Sequence, residues 1–291
     1  MTERNQYFLA CHPQNVSVLI EDMIDGAPPF WLLMANNDLN PDNEKDMTLV
    51  ERALDAGTKL LIDSGVFWLT NRHKRAHGMT MDEALSLHPT EVDGFEWLLD
   101  RYVRIHNRFG ERMWGMIELD QGGAERKRET RSRLHALGIH PLPVYHPLLD
   151  GWDYFDELAT THDRMCFGNI VQASAGVRER LLQTAWERKR AYPHLWIHVL
   201  GYSLNPNLHA APIESCDSST WKQGERWGAE SDKAMLAKIG TLDRSYTYPL
   251  GDIVQHDRAT RLGALISRSA THSWRDHLTR LEGVLGYDEF R

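Results

Sequence analysis

The chain has 291 residues, of which 42% are hydrophobic and 25% are charged, and its formal net charge is -8 at pH 7. This is ordinary globular usage, which excludes a disordered, collagen-like or coiled-coil chain. The net charge provides no overall attraction to nucleic acid, so a nucleic-acid partner would have to be held by local basic patches.

Nothing in the sequence predicts a membrane or secretory segment. The longest apolar run, FWLLMA at 30–35, is much shorter than the roughly 20 residues that cross a bilayer. The N-terminal MTERNQYF lacks a basic region followed by an apolar one. The cysteines are Cys11, Cys166 and Cys216, without CxxC spacing, which indicates reduced thiols. We therefore expect a cytoplasmic protein.

Short strand-like segments alternate with helical patterns along most of the chain. Seven predicted strands are FWLLMA (30–35), KLLIDSG (59–65), RMWGMIELD (112–120), PLPVYH (141–146), RMCFGNI (164–170), LWIHVLG (195–201) and PIESCDS (212–218). An eighth is supplied by QYFLA (6–10) or by a segment after Trp221. Strand followed by helix, repeated, predicts parallel strands joined by crossover helices.

Two architectures fit this alternation, an open doubly wound sheet and a closed barrel. The GxGxxG motif of dinucleotide-binding sheets is absent, and the length lies in the barrel range. We predict an α/β fold of the (β/α)8, or TIM-barrel, type over residues 1–254. A helical extension packed on the barrel is predicted for residues 255–291.

Polar residues follow many of the predicted strands, where barrel enzymes carry their chemistry. They are Asp63, Ser64, Glu118, Asp120, His146, Gly168, Asn169, Gly201 and Asp217. Two carboxylates that face one bond permit displacement at a sugar carbon, because one attacks while the other handles the proton of the leaving group. Each aspartate could instead cap the helix that follows its strand.

Two other chemistries have weaker support. A metal held by His146, Asp63 and Asp120 would make the barrel a hydrolase, but HExxH and zinc spacings are absent. No metal or cofactor is therefore predicted. Cys216 could act as a nucleophile, although a buried, inert thiol is the simpler interpretation.

Two basic segments follow strands that end in aspartate. NRHKR (71–75) contains Arg72, Lys74 and Arg75, and ERKRETRSR (125–133) begins with Glu125 followed by Arg126, Lys127 and Arg128. Such a rim could contact phosphates. Phe67 could stack on an unpaired base or belong to the core.

The string LLIDSGVFW (60–68) resembles the DSGG(F/Y)Q motif of the tRNA-guanine transglycosylase family. Further similarity follows in the same order at IELDQ (117–121), CFGNIVQ (166–172), HVLGYS (198–203) and SCDSSTW (215–221). Val66 and Trp68 depart from the motif, and the family's cysteine-rich zinc site has no counterpart. The chain is therefore more similar to the shorter, zinc-lacking DNA deazaguanine transglycosylases of phages and bacteria.

The resemblance implies a (β/α)8 glycosyltransferase (a pentosyltransferase) of the guanine transglycosylase type. Such an enzyme replaces guanine in a polynucleotide with a 7-deazaguanine base through a covalent aspartyl intermediate. The expected partners are DNA, with tRNA as the alternative, and the guanine or deazaguanine base, without a membrane. Other functions left open are a metal-dependent barrel hydrolase, a nucleoside-processing glycosidase and a non-catalytic nucleobase-binding barrel.

The resemblance also implies roles for individual residues. Asp217 would be the nucleophile and Asp63 the general acid or base. The base would contact Ser64, Phe67, Asp120, His146, Gly168, Asn169 and Gly201. From the two basic segments, independently of the resemblance, we expect the polynucleotide to contact Arg72, Lys74, Arg75, Arg126, Lys127 and Arg128.

Overall fold

The computed structural model describes residues 6–13, 16, 19–20, 23, 29–202 and 214–219. The described residues lie almost wholly within one compact unit, residues 1–218. The predicted helical extension at 255–291 lies outside the described residues. The domain boundary at residue 254 therefore stays a prediction.

The eight predicted strands are confirmed, including QYFLA as the first. They are β1 (Gln6–Cys11), β2 (Trp31–Ala35), β3 (Lys59–Asp63), β4 (Gly115–Met116), β5 (Val144–Tyr145), β6 (Arg164–Phe167), β7 (Trp196–Val199) and β8 (Ser215–Ser218). Their spatial order is β4-β3-β2-β1-β8-β7-β6-β5. Every paired neighbour is parallel.

The two ends of this order meet and close the sheet. Ile117, just after β4, forms a parallel bridge with Leu142, just before β5. The backbone N–H of Glu118 donates to the Leu142 carbonyl at 3.0 Å, and the Leu142 N–H donates to the Met116 carbonyl at 2.8 Å. The fold is therefore a (β/α)8 barrel, and the doubly wound alternative is wrong.

The helices lie between the strands. They are α1 (Glu44–Asp55), α2 (Val66–His77), α3 (Met81–Ser86), α4 (Phe95–Phe109), α5 (Gly123–Ala136), α6 (Trp152–Thr161) and α7 (Ala175–Lys189). In α4 the buried residues include Phe95, Leu98, Tyr102, Ile105 and Phe109, at the spacing of three and four that lines one helix face. Among the described residues, no helix is long and apolar enough to cross a bilayer.

Aromatic rings fill the end of the barrel where the strands begin. The ring centroids of Trp114 and Trp196 lie 5.0 Å apart, and those of Trp31 and Trp114 lie 5.9 Å apart. Phe8 meets Trp31 edge-on at 5.2 Å. Because this end is packed with rings, polar chemistry is confined to the opposite end, which we call the mouth.

Three buried carboxylates hold the barrel strands to the helices, and we call Glu118, Asp150 and Glu214 the clamp carboxylates. Each accepts a hydrogen bond from a strand backbone N–H, from Val144 at 2.5 Å, His146 at 2.8 Å and Ile197 at 3.1 Å respectively. Each also pairs with a helix cation, namely Arg131 and Lys127 of α5 and Lys189 of α7. The clamps therefore tie helices to the barrel wall.

Candidate active site

Three aspartates meet at the mouth. Asp63 is the last residue of β3, Asp120 follows β4, and Asp217 lies in β8. Asp120 and Asp217 are 8% and 6% exposed, and Asp63 is part-exposed. Like charges in such a confined site disfavour the ionised forms of one another.

Asp63 shows this effect most clearly. Burial, followed by the charges of Asp120 and Asp217, raises its pKa from 3.8 to about 7. The backbone N–H of Gly65 donates to its Oδ2 at 3.3 Å, and no described lysine or arginine pairs with it. A carboxyl with this pKa takes up and releases protons near neutral pH, as a general acid or base must.

Asp63 and Asp120 do not cap the helices that follow them. Gly65 is the N-cap of α2 and Gly122 is the N-cap of α5. Gly65 has φ of 79°, and a Cβ there would lie 2.7 Å from Asn37 Oδ1, so the turn after β3 requires glycine. The interpretation of Asp63 and Asp120 as caps is therefore wrong, and their carboxylates are available to the mouth.

Asp120 is held on both oxygens. The Ser64 hydroxyl donates to Oδ1 at 3.2 Å, and His146 Nε2 lies 2.7 Å from Oδ2. Although burial opposes it, the hydrogen bond and charge of His146, with the charge of Lys127, lower the pKa of Asp120. Gly168 leaves room for this pair, because a Cβ there would come within 3.0 Å of His146 Cδ2.

Asp217 is held in a similar way by a histidine that the sequence analysis did not select. His198 Nε2 lies 3.2 Å from Asp217 Oδ1, and His198 Nδ1 lies 2.6 Å from Ser215 Oγ. The backbone N–H of Gly201 donates to the same Oδ1 at 2.8 Å. An available signal was the alternation of His198 with Trp196, which points both side chains to one face of β7.

Three other residues selected in the sequence analysis lie in different surroundings. Phe67 is 48% exposed, so its interpretation as a core residue is wrong. Asn169 is buried with φ of 59°, and its Nδ2 donates to Asp82 Oδ1 at 3.2 Å. Cys216 is buried, as predicted.

The two basic segments do not form a rim at the mouth. Lys127 is fully buried, and Arg126 and Arg128 pair with Glu129 and Glu157. Arg72, Lys74 and Arg75 lie in α2, which begins at Val66. At about 1.5 Å per residue they are about 9–14 Å along the helix from its start at the mouth. The prediction that Lys127 contacts a phosphate is therefore wrong, and a phosphate-binding role for the other basic residues stays a prediction.

Groups that bind metals elsewhere do not cluster here. Within the part of the chain that the structure describes, no three His, Cys, Asp or Glu side chains are placed to hold a metal ion. The described lysines are Lys45, Lys59, Lys74, Lys127 and Lys189. None of them follows a strand at the mouth, so the described residues provide no amine there for a Schiff base.

Comparison with known proteins gives matches only among solved structures. No family model matches the chain, and no curated protein matches it. A protein of Coccidioides immitis described as a fructose-1,6-biphosphate aldolase has 12% identity and a TM-score of 0.46, covering 91% of this chain and 89% of its own. CdNal of Clostridium difficile, solved with mannosamine, has 11% identity and a TM-score of 0.46, covering 90% and 99%. The fructose-bisphosphate aldolase of Campylobacter jejuni has 10% identity and a TM-score of 0.41, covering 91% and 89%.

These findings correct the identification made from the short motifs. Membership of the tRNA-guanine transglycosylase family is wrong, since no family model matches and the similar solved structures named above are barrels described in other terms. Guanine exchange, the deazaguanine base, and DNA or tRNA as partners are wrong with it. At 10–12% identity the likeness concerns the fold alone, and the named activities stay with those proteins.

Proposed function

We propose that this chain is an acid–base enzyme that enolises a small polyhydroxylated carbonyl compound, the step from which isomerases, epimerases and lyases proceed. The observation that carries the proposal is the meeting of Asp63, Asp120 and Asp217 at the mouth, where burial and the two neighbouring carboxylates raise the pKa of Asp63 to about 7. The proposal depends on the mouth of this chain and takes nothing from the named activities of other barrels.

Asp63 is the proposed base. Its ordinary pKa of 3.8 would make it a weak base at neutral pH, whereas a pKa of about 7 matches the working pH. Positioned proton transfer of this kind contributes roughly 10²–10⁴-fold in rate. Since Asp63 must be ionised to accept a proton, the rate should rise as the pH rises through about 7.

The remaining mouth groups fit a substrate that carries several hydroxyls. Asp217 Oδ1 is occupied by Gly201 and His198, and its second oxygen can accept from a hydroxyl. Ionised carboxylates are acceptors only, so they favour substrates rich in donors. The exposed ring of Phe67 can cover an apolar face of a small sugar-like molecule. Substrate-binding roles for Ser64, Asp120, His146, Gly168, Asn169 and Gly201 are part of this proposal.

The nucleophilic role of Asp217 toward a sugar carbon belonged to the corrected identification and is not carried further. Here Asp217 is a carboxylate that orients the substrate and helps to raise the pKa of Asp63. A cytoplasmic location is likewise a proposal, and cell fractionation would test it.

The test is deuterium exchange followed by proton NMR. The protein is incubated in D2O with aldoses, ketoses and 2-keto sugar acids, and loss of the C–H signal beside the carbonyl is measured. Asp63→Asn should lower the exchange rate roughly 10²–10⁴-fold. Asp42→Asn is the matched control, because Asp42 lies in an exposed pair with Arg104. Exchange by Asp63→Asn at the wild-type rate would contradict the proposal.

A further inference from the structure

A third His–Asp pair stands at the ends of β1 and β2, outside the groups used above. His12 follows the last residue of β1, and Asp38 ends a single 3-10 turn, Asn36–Asp38, that follows β2. His12 Nδ1 lies 2.5 Å from Asp38 Oδ2. Asn37 Nδ2 donates to the other oxygen, Asp38 Oδ1, at 2.7 Å. Asp38 is therefore fixed from two sides, and it fixes the imidazole in turn.

This pair is close to Asp63 along a short chain of contacts. Ala35, the last residue of β2, pairs in register with Asp63. A Cβ on Gly65 would lie 2.7 Å from Asn37 Oδ1, so Asn37 packs against the backbone of Gly65. The N–H of Gly65 in turn donates to Asp63. Asn37 and Gly65 thus link the carboxylate of Asp38 to that of Asp63.

The three His–Asp pairs differ in how far the imidazole ring is exposed. The side chains of His146 and His198 are 2% and 0% exposed, so each ring lies among protein groups. The His12 side chain is 61% exposed, while that of Asp38 is 21% exposed. Asp38 occupies Nδ1, and among the described residues no partner takes Nε2. A carboxylate that orients one imidazole nitrogen and leaves the other open is the arrangement of a proton-transferring histidine.

We infer that His12 is the second proton-transfer group of this mouth, a catalytic residue that works opposite Asp63, with Asp38 and Asn37 as positioning residues. The inference rests on the proposed function and names the group that completes it. Enolisation needs an acid at the carbonyl oxygen as well as a base at the carbon. The open nitrogen of His12 is the acid that the buried histidines cannot supply.

The step balances without another reagent. The ionised Asp63 takes the proton from the carbon beside the carbonyl, and the electron pair of that C–H bond becomes the carbon–carbon double bond of the enol. The carbonyl oxygen takes a proton from the protonated imidazole of His12. Asp63 ends protonated and His12 neutral. Reversal of the two transfers restores the keto form, and in D2O the proton on Asp63 first exchanges with solvent, so the carbon receives deuterium.

The first test compares His12→Ala with Asp63→Asn in the deuterium-exchange assay. His12→Ala should slow exchange about 100-fold, and added imidazole should restore part of the rate, because the exposed position admits a small proton donor. Asp63→Asn should not respond to imidazole. His140→Ala is the control, since His140 is an exposed histidine that pairs by ring contact with His135 on another face.

The positioning role of Asp38 is tested by separate measurement of kcat and KM. Asp38→Asn should lower kcat with KM changed less than about twofold, because substrate binding is kept while the imidazole loses its orientation. Imidazole in solution should not rescue this variant, since the His12 ring still fills the position. A change in KM alone, or rescue by imidazole, would show that Asp38 does not act through His12.

Binding of glycolohydroxamate, a planar mimic of an enediolate, decides the matter without turnover. Mimics of a reaction intermediate bind through the groups that catalyse. Calorimetry should show weaker binding by at least about tenfold in both His12→Ala and Asp63→Asn, with Asp42→Asn unchanged. Weakening in Asp63→Asn alone would overturn the role of His12 and leave the proposed function in place. Wild-type binding and exchange in Asp63→Asn, or no binding to the wild-type protein, would overturn both.

Discussion

The clamp carboxylates and the mouth carboxylates, apart from the part-exposed Asp63, are buried to similar degrees but differ in their partners. Glu118, Asp150 and Glu214 each pair with an arginine or a lysine. Asp120 and Asp217 pair with histidines, and Asp63 has no cationic partner among the described residues. Arginine and lysine remain charged across the physiological range, whereas histidine and an unpaired carboxyl change charge within it. The clamp partners therefore favour a fixed structure, and the mouth partners favour proton transfer.

One residue joins the two sets. The backbone N–H of His146 donates to the clamp carboxylate of Asp150 at 2.8 Å, while its ring lies 2.7 Å from the mouth carboxylate of Asp120. Lys127 pairs with Asp150, and its charge also helps to lower the pKa of Asp120. The clamps thus orient the groups that could carry the chemistry, as supporting residues do in preorganised sites.

The largest expected effect comes from breaking a clamp. Arg131 Nε donates to Glu118 at 2.8 Å, and although burial opposes it, Glu118 raises the pKa of Arg131. Arg131→Met should leave a buried carboxylate without its cation and lower the free energy of unfolding by about 3–5 kcal/mol. Urea denaturation monitored by circular dichroism measures the loss.

The same helix provides the control for this prediction. Arg133 pairs with Glu96 at 3.0 Å, and both side chains are more than half exposed, at 53% and 61%. Arg133→Met should therefore cost no more than about 1 kcal/mol. Equal losses in the two variants would mean that Arg131 contributes no more than a surface pair.

The strands and several mouth residues could be predicted because their causes are local. Parallel barrel strands are buried on both faces and give short apolar runs, such as that at β3, separated by helical periodicity. The polar residues that follow them mark one end of the barrel, so Asp63, Asp120 and Asp217 could be grouped before the structure was known. Their grouping needed only the rule that parallel strands end together.

The clamp contacts and the protein family could not be predicted from local sequence patterns, because neither has a local cause. Arg131 lies in a run of charged residues, and only the fold shows that it is buried against Glu118. The DSG sequence is explained by the turn after β3, and any similar turn would favour the same residues. Gly65 adopts a positive φ, and the Ser64 hydroxyl accepts from the Val66 N–H at 3.2 Å. A motif that the turn itself requires is weak support for a family.

Removal of a mouth carboxylate should have the opposite sign from removal of a clamp partner. The folded-state pKa of Asp63, about 7, lies above its ordinary value of 3.8, so the folded protein holds this proton more tightly than the unfolded chain does. Stability that is present at pH 4 is therefore lost as the pH rises through 7. Asp63→Asn replaces the titrating carboxyl, so the variant does not lose this stability as the pH rises.

We expect Asp63→Asn to match the wild-type free energy of unfolding near pH 4 and to exceed it at pH 8 by about 2 kcal/mol, allowing for the part-exposed position. Denaturation at several pH values measures the difference, with Asp42→Asn as the exposed control. A variant less stable than the wild type at pH 8 would assign Asp63 to the structural set.

The smallest effect is expected at the Asp120–His146 pair, which stands between the two sets. His146 holds the pKa of Asp120 below its ordinary value against the effect of burial. A lowered folded-state pKa contributes stability that is present above the unfolded value of 3.8 and lost as the pH falls through the folded value.

His146→Gln keeps a donor near Asp120 but removes the charge, so it should lower the free energy of unfolding by about 1 kcal/mol at pH 5. The difference from the wild type should shrink as the pH falls below the lowered pKa of Asp120, where Asp120 is protonated in both proteins. His140→Gln, at an exposed histidine, should follow the wild type throughout. If the loss of unfolding free energy in His146→Gln stays constant at every acidic pH, the ring supports packing against Gly168 and does not act through the charge of Asp120.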